Sequence, residues 1–385
     1  MLRPALADLA FDRPTFARLQ GAFVRGDLSR DRIRLAEPPR PLAADDPRVV
    51  HLEGASPARL AELRARGEAA LRAGAIAVLI LNGGLATRFG GVVKGVVPVL
   101  EGRPDRSFLA VKLAGVRSVA ARLGAPLPVV VMHSFATRAE SEEHLRAIEW
   151  AGVAPADRHT FVQSILPRLD LEGALLLERP GADQAPDLDL FAAPGHGDTL
   201  ARLVESGVAD ALARRGVRHL LISNVDNLGA TLDPVVAGAH LEAADAGRRV
   251  TVEAVLREPG DVGGCIAELA DGRAAIVEGF RLPAGVDPAR YPHFNTNTLW
   301  LALGAALARP ALDFFPVHRQ ITWPDGEPVE TVHFEQLLGQ VSERVPAGYV
   351  LVDRGARFLP IKTQADLAAA RPRMLEIAAD AFDRP

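Results

Sequence analysis

Ala75-Ile-Ala-Val-Leu-Ile-Leu-Asn-Gly-Gly-Leu-Ala-Thr-Arg-Phe-Gly-Gly-Val-Val-Lys94 is the stretch on which the fold turns. Its first part, Ala75–Leu81, is an unbroken apolar run of the length and composition of a buried strand. A glycine-rich loop follows at once, then a helical pattern around Phe108–Leu123. The rhythm repeats downstream. Apolar strands are expected at Pro128–Met132, Phe161–Ser164, His219–Ser223 and Arg249–Leu256. Helices are expected between them at Thr137–Ile148, Asp198–Arg215 and Pro234–Ala246. Strands alternating with helices predict a mainly parallel α/β sheet. Gly264–Glu268, Ala274–Glu278 and Thr298–Leu301 read as strands of an added mixed or antiparallel part, the first two joined by an Asp271-Gly272 turn. Upstream, Ser56-Pro57 opens a helix that runs to about Arg72, with Ser as cap and Pro in the first turn. The first 50 residues read as an arm with short helices. Glu178–Gly197, dense in Pro, Gly, Asp and Ala, reads as a long loop walling a site.

Composition bounds the function. The chain has 385 residues, 48% hydrophobic and 24% charged, with a net charge of -4. That excludes wholesale disorder and argues against a nucleic-acid partner, which calls for a basic excess. A single cysteine, Cys265, excludes an intrachain disulfide and a cysteine-rich zinc site. The N-terminus lacks the apolar core of a signal peptide, and no apolar run reaches membrane-spanning length. A cytoplasmic protein is expected. Of 44 basic residues only Lys94, Lys112 and Lys362 are lysine. Where arginine serves nearly everywhere, a surviving lysine marks a position that needs an ammonium. Lys112, mid-helix, is expected to be the surface exception.

Four motifs sit where chemistry is expected. The Leu81–Gly91 loop brings backbone N–H groups to the carboxyl end of a strand, where open α/β sheets bind ligands, and Lys94 follows as a point charge for phosphates. It is neither a Walker loop nor a dinucleotide fingerprint. Pro194-Gly-His-Gly-Asp198 exposes a histidine between glycines, just before a helix. Ser223-Asn-Val-Asp-Asn-Leu-Gly229 ends another strand with an aspartate suited to magnesium. Phe294-Asn-Thr-Asn-Thr-Leu-Trp300, if extended, places Asn295 and Asn297 on one side, and paired amides suit sugar hydroxyls. Taken singly, each has a plainer reading as a flexible connection, a turn histidine, a capping aspartate or turn-holding amides.

Together these segments resemble the UTP–glucose-1-phosphate uridylyltransferase family. The likeness runs from about Ile76 to Asp366, through LNGGLATRFG, VVMHSFAT, FVQSILPRLD, PGHGD, SNVDNLGATLD, FNTNTLW and RFLPIKTQADL in that order. The resemblance implies a nucleotidyltransferase (GT-A-like, Rossmann-like) mixed sheet flanked by helices, spanning 75–345. An N-terminal helical arm (1–74) would precede it, and a short segment carrying Lys362 (346–385) would follow. It implies the reaction UTP + glucose 1-phosphate = UDP-glucose + pyrophosphate, with Mg2+. Galactose or N-acetylglucosamine 1-phosphate as the acceptor, and a non-catalytic sugar-nucleotide sensor, are the alternatives. By matching positions, Leu81, Asn82, Gly83 and Gly84 would line the nucleotide pocket, Gln163 would read uracil, and Met132 would pack nearby. Gly195 and His196 would meet nucleotide and sugar phosphate. Asn224, Glu278, Asn295 and Asn297 would hold the sugar nucleotide, Asp226 the metal, and Lys94 and Lys362 the reacting phosphates. Ala86, Arg88 and the Gly-Gly-Val-Val-Lys segment depart from the family's pattern. Only 23 residues follow Lys362, too few for the β-helix domain of eukaryotic members, so a monomer or small homo-oligomer is expected.

Overall fold

The computed structural model describes residues 6–43, 45–86, 91–100, 102–361 and 364–382. In chain order its principal strands are β1 (Val49–His51), β2 (Ile76–Asn82), β3 (Val129–His133), β4 (Arg158–Val162), β5 (His219–Asn224) and β6 (Val250–Leu256). They continue with β7 (Cys265–Glu268), β8 (Ala274–Val277), β9 (His293–Ala302), β10 (Phe315–Thr322), β11 (Pro328–Glu335) and β12 (Ala347–Leu351). The principal helices are α1 (Arg13–Val24), α2 (Pro57–Arg72), α3 (Phe108–Leu123), α4 (Arg138–Ala147), α5 (Thr199–Glu205), α6 (Val208–Arg214), α7 (Pro234–Asp245) and α8 (Gln364–Phe382).

Among the described residues an eleven-stranded mixed sheet forms the centre, with the spatial order β1-β12-β6-β9-β5-β2-β3-β4 along its main path. Strands β5, β2, β3 and β4 run parallel, as the alternation of strand and helix requires. The long strand β9 enters antiparallel between β5 and β6 and so divides the sheet. β7 and β8 form the expected hairpin and attach to β9 at Cys265 and Phe294.

β2 is buried over its whole length because helices cover both faces. Ile76, Val78 and Ile80 face a core shared with α2, α3, α7 and α8; Ala77, Leu79 and Leu81 face a second core shared with α5 and α6. α2 starts as the sequence predicts: the Ser56 hydroxyl accepts from the Arg59 amide, with Pro57 at the first turn.

Three elements differ from the sequence expectation. Asp198–Arg215 is not one helix; Gly207, at φ +77°, ends α5 and starts α6. β10 and β11 form a separate hairpin across a Pro-Asp-Gly turn, against which Phe16 and Leu19 of α1 pack through Val332 and Phe334. α8 extends the C-terminal segment as a helix whose Met374, Ile377 and Ala378 close the first core. No helix among the described residues is long and apolar enough to cross a membrane.

Candidate active site

Parallel strands align their carboxyl ends, and four of the sequence motifs start there. Leu81 sits opposite Asn224 on one side and Met132 on the other, and His133 sits opposite Val162. Gly83, Ser134, Gln163 and Asp226 therefore emerge along one edge of the sheet.

Two cavities lie on that edge. The first, about 280 Å³, is lined by Leu81, Gly83, Gly84, Lys94, Met132, Gln163, Gly195, His196, Asn224, Asp226 and Glu335 among others. The second, about 220 Å³, is lined by Glu278, Asn295, Asn297, Phe294 and Phe358, with His196, Asn224 and Asp226 again in its wall. Those last three residues form the boundary between the two spaces. The structure thus brings together every described site residue named from the sequence except Asn82. Lys362 and Arg88 lie outside the described residues.

Asn82 is fully buried beneath the glycine loop, where its Nδ2 donates to Ser141 Oγ at 2.8 Å. Its carbonyl accepts from Thr137 Oγ1, and the next carbonyl, of Gly83, accepts from Ser134 Oγ, both at 2.8 Å. Asn82 thus shapes the loop from below. Past the loop, Val92–Val93 pairs back onto Leu85–Ala86. This returns Lys94 to the strand edge, where its Nζ lies 2.6 Å from Asp226 Oδ2.

Gln163 has its amide held between two backbone segments. Its Nε2 donates to Gly195 O at 2.6 Å, and its Oε1 lies against Gly83, where any side chain would collide with it. Gly195 itself adopts φ +73°, and a β-carbon there would meet the Gln336 carbonyl at 2.5 Å. Next to Gln163, the Ser164 amide and hydroxyl donate to the buried Asp198 carboxylate at 2.8 and 2.7 Å. Burial pushes that carboxyl upward, against these two hydrogen bonds. Thr199 Oγ1 donates to the His196 carbonyl at 2.6 Å and also lies 3.0 Å from the Met132 sulfur at the cavity wall.

His196 Nδ1 accepts from the Leu338 amide at 2.9 Å, so its Nε2 is the atom left to carry the proton. Burial lowers its pKa. Asn297 reaches the second cavity by a bulge, not by simple strand alternation. Glu253 of β6 pairs with Thr298 while the adjacent Ala254 pairs with Asn295, leaving Thr296 and Asn297 as the insertion. Asn297 takes φ +56°, its amide donates to Asn295 Oδ1 at 2.9 Å, and its Nδ2 donates to Asn224 Oδ1 at 3.0 Å. Its own Oδ1 is buried with no protein partner. Glu278 faces the same space, and burial pushes its carboxyl up to about 7, with Arg281 opposing.

The sequence reading missed Glu335. Arg168 Nη1 donates to His333 Nδ1 at 2.8 Å, so His333 Nε2 donates to Glu335 Oε1 at 2.9 Å. Burial raises the Glu335 carboxyl, but the His333 hydrogen bond and nearby cations outweigh that and hold it below the usual range. Nothing in the Thr331–Glu335 alternation distinguishes it from any exposed strand carboxylate.

The reading of Lys112 as a surface lysine is overturned. Its Nζ lies inside, donating to Ser223 Oγ at 2.8 Å and to Ala230 O at 3.2 Å, and burial pushes the ammonium down to about 7. The signal was available: Leu109, Lys112 and Val116 share one helical face, and both apolar members are core residues. The neighbouring buried pair Arg357–Glu253, at 2.6 and 2.9 Å, also takes in Trp300 Nε1. It anchors the C-terminal segment, and Asn227 Oδ1 receives the Leu359 amide at 3.0 Å.

Asp226, with Asn224 beside it, is the carboxylate at the boundary of the two cavities, and no group of three or more metal-binding side chains occurs among the described residues. One carboxylate alongside anionic ligands and water is a donor set that suits magnesium.

Comparison with known proteins agrees with this geometry. Residues 48–383 match the model of a family described as UTP–glucose-1-phosphate uridylyltransferase. The enzyme of that name from Saccharomyces cerevisiae is 30% identical over 315 residues, 78% of this chain and 60% of the relative. The UTP–glucose-1-phosphate uridylyltransferase 2 of Dictyostelium discoideum is 31% identical over 302 residues, 76% of this chain and 57% of the relative. The chain therefore spans about 60% of the length of these curated relatives. A mutant UDP-glucose pyrophosphorylase from Leishmania major superposes with a TM-score of 0.72 at 25% identity, covering 92% of this chain and 74% of that one. The UDP-glucose phosphorylase of Trypanosoma brucei shares the fold at a TM-score of 0.75 and 23% identity, covering 95% of this chain and 76% of that one.

Proposed function

Since the chain belongs to the UTP–glucose-1-phosphate uridylyltransferase family, we propose that it transfers the uridylyl group of UTP to glucose 1-phosphate and releases pyrophosphate. The observation that carries this reading is the pair of cavities meeting at His196, Asn224 and Asp226. A transfer between two bound anions needs two adjacent pockets with the reacting phosphates at their boundary.

In this reading uracil lies in the first cavity, against the Gln163 amide and the Gly83 backbone. Leu81 and Met132 give the base apolar contact. The sugar lies in the second cavity, where the unpartnered Asn297 Oδ1 takes a hydroxyl proton and Asn295 and Glu278 offer further polar groups. The sugar-phosphate oxygen attacks the α-phosphorus in line. A phosphate dianion is already a nucleophile, so the protein's work is alignment and charge neutralisation. Lys94 supplies a compact positive charge at the boundary, and Lys362 is proposed to supply a second. The His196 Nε2 proton is available to a phosphate oxygen. Asp226 is the residue that would hold Mg2+, which supplies charge neutralisation of the triphosphate when bound.

The test is pyrophosphate release by the purified protein across a panel of nucleoside triphosphates and sugar 1-phosphates. Release with UTP and glucose 1-phosphate is expected to exceed that with galactose or N-acetylglucosamine 1-phosphate. A higher rate with another sugar reassigns the acceptor. No release with any sugar, together with tight UDP-glucose binding, supports a sensor instead.

A further inference from the structure

We propose that Lys112 is a positioning residue that fixes the shape of the Asp226 loop from behind the sheet, an inference that rests on the role given to that loop above. Its Nζ reaches Ser223 Oγ at 2.8 Å and Ala230 O at 3.2 Å. Between those two partners lie Asn224, Val225, Asp226, Asn227, Leu228 and Gly229. One ammonium therefore ties the residue at the loop's entry to the residue at its exit. Asn224 and Asp226, which wall both cavities, are carried on the span between.

The loop's other side is held by different means. Arg357 Nη1 donates to the Thr231 carbonyl and hydroxyl at 3.0 and 2.8 Å, one residue beyond the Lys112 tie. Asn227 is bonded to the Leu359 amide. The charges around the ammonium are the Asp226 and Glu253 carboxylates, which favour it, and the Arg357 guanidinium, which opposes it. A neutral apolar residue at 112 leaves the Ser223 hydroxyl and the Ala230 carbonyl without this partner, at the wall of a cavity of about 230 Å³ behind the sheet.

Geometry also explains why lysine stands here in a chain that uses arginine for nearly all its basic positions. The two acceptors belong to the two ends of one loop, and the tie needs a small tetrahedral donor on a thin stem. A planar guanidinium carries its donors in a fixed fork, which suits one bidentate acceptor better than two acceptors on separate ends of a loop. Lys112 lines neither of the two site cavities but a third behind the sheet, so its effect on the site runs through the loop.

Catalytic alignment is sensitive to displacements of about 1 Å, which cost on the order of 100-fold. Gln163 and the glycine loop, which take the base, do not depend on Lys112. Loss of the tie should therefore lower kcat and spare nucleotide binding. The test compares Lys112→Met, Lys112→Gln and Lys112→Arg with the wild-type protein. Steady-state kinetics are read with UTP and glucose 1-phosphate at saturating Mg2+, and hydrogen exchange is followed in peptides covering 219–232. The expected result is a kcat lower by about 10-fold or more in all three, with KM for UTP within about 3-fold. Amides at 225–230 should exchange at least about 10-fold faster, while those of 220–222, in the central sheet, keep their protection. Unchanged loop exchange and wild-type kcat in any of the three, once shown to be folded by thermal melting, overturn the proposal. A uniform rise in exchange across the sheet also overturns it, since that marks a general stability role. If the wild-type protein itself releases no pyrophosphate, the uridylyl-transfer reading fails, and the loop exchange alone decides the structural claim.

Discussion

Lys94 Nζ and Asp226 Oδ2 lie 2.6 Å apart, joining the end of the glycine loop to the end of β5 across the first cavity. The lysine side chain is 28% exposed and the aspartate 12%. In the proposed reading Asp226 would hold the metal of a bound triphosphate, and Lys94 would then turn to phosphate oxygens. In this structure each charge satisfies the other.

Asp226→Asn keeps the shape and removes the charge. We expect kcat to fall by about 100-fold or more, the scale of losing an electrostatic group at the reacting centre. Stability should change by less than about 1 kcal/mol, because the pair opens onto the cavity and the Lys94 ammonium can take water in place of the carboxylate. Turnover measured across a Mg2+ titration, alongside thermal melts, checks both parts. Near-normal turnover at low Mg2+ would reduce Asp226 to a turn residue.

Lys94→Arg keeps the charge and changes its form. The ammonium can follow a phosphate as charge moves toward the leaving oxygen, whereas a guanidinium prefers a fixed planar grip. The expected loss is about 10-fold or more in kcat, or about 1.4 kcal/mol in the barrier. Lys362→Arg is expected to behave alike on the family resemblance alone. Wild-type turnover in both variants would show that neither position needs an ammonium.

Base selection tests the other end of the first cavity. Gln163 is oriented by its hydrogen bond to the Gly195 carbonyl, so turning the amide to suit a different base costs that bond. A site that hydrogen-bonds one edge rejects an analogue that leaves its groups unpaired. UTP and dTTP present the same imide edge and should both serve, whereas CTP should fall by about 100-fold or more in kcat/KM. Equal kcat/KM for UTP and CTP counts against the assignment of Gln163.

The sheet was legible because its central strands are apolar runs ending in glycine-rich or Asn/Asp-rich loops, and β2 and β5 follow that pattern residue by residue. The site was legible to the same extent, since open parallel sheets bind at their carboxyl edge. The β10–β11 hairpin was not, because its outer strand exposes His318, Arg319 and Gln320 in succession with no clean alternation. With that hairpin went Glu335. The bulge at Thr296–Asn297 was hidden for another reason. A two-residue insertion depends on what β6 offers opposite, and the strand sequence alone carries no record of its partner. Lys112 hides because its charge reads as surface, while Leu109 and Val116 on the same helical face belong to the core.

Glu278 gives the site a pH signature. Its carboxyl ordinarily titrates at 4.5, and burial in the folded protein moves it up to about 7. Between those values the native state holds a proton that the unfolded chain has released, so stability falls as pH rises through the window and levels off above it. The difference caps the effect at about 3 kcal/mol, and partial exposure to the cavity reduces it to about 1–3 kcal/mol. Glu278→Gln removes the ionisation. The variant should therefore gain in Tm over the wild-type protein at pH 8 and lose that advantage near pH 4.5, where both side chains are neutral. Function should follow the same group with the opposite sense. A sugar hydroxyl that donates to Glu278 favours the carboxylate, so binding of glucose 1-phosphate should release a proton near neutrality. KM for the sugar phosphate should then rise as pH falls below about 7 in the wild-type protein, in excess of the change due to the phosphate's own titration. In Glu278→Gln only the phosphate's contribution should remain. Parallel KM profiles for the two proteins between pH 5.5 and 8, with the expected Tm difference still present, would show that Glu278 is buried near the sugar without binding it.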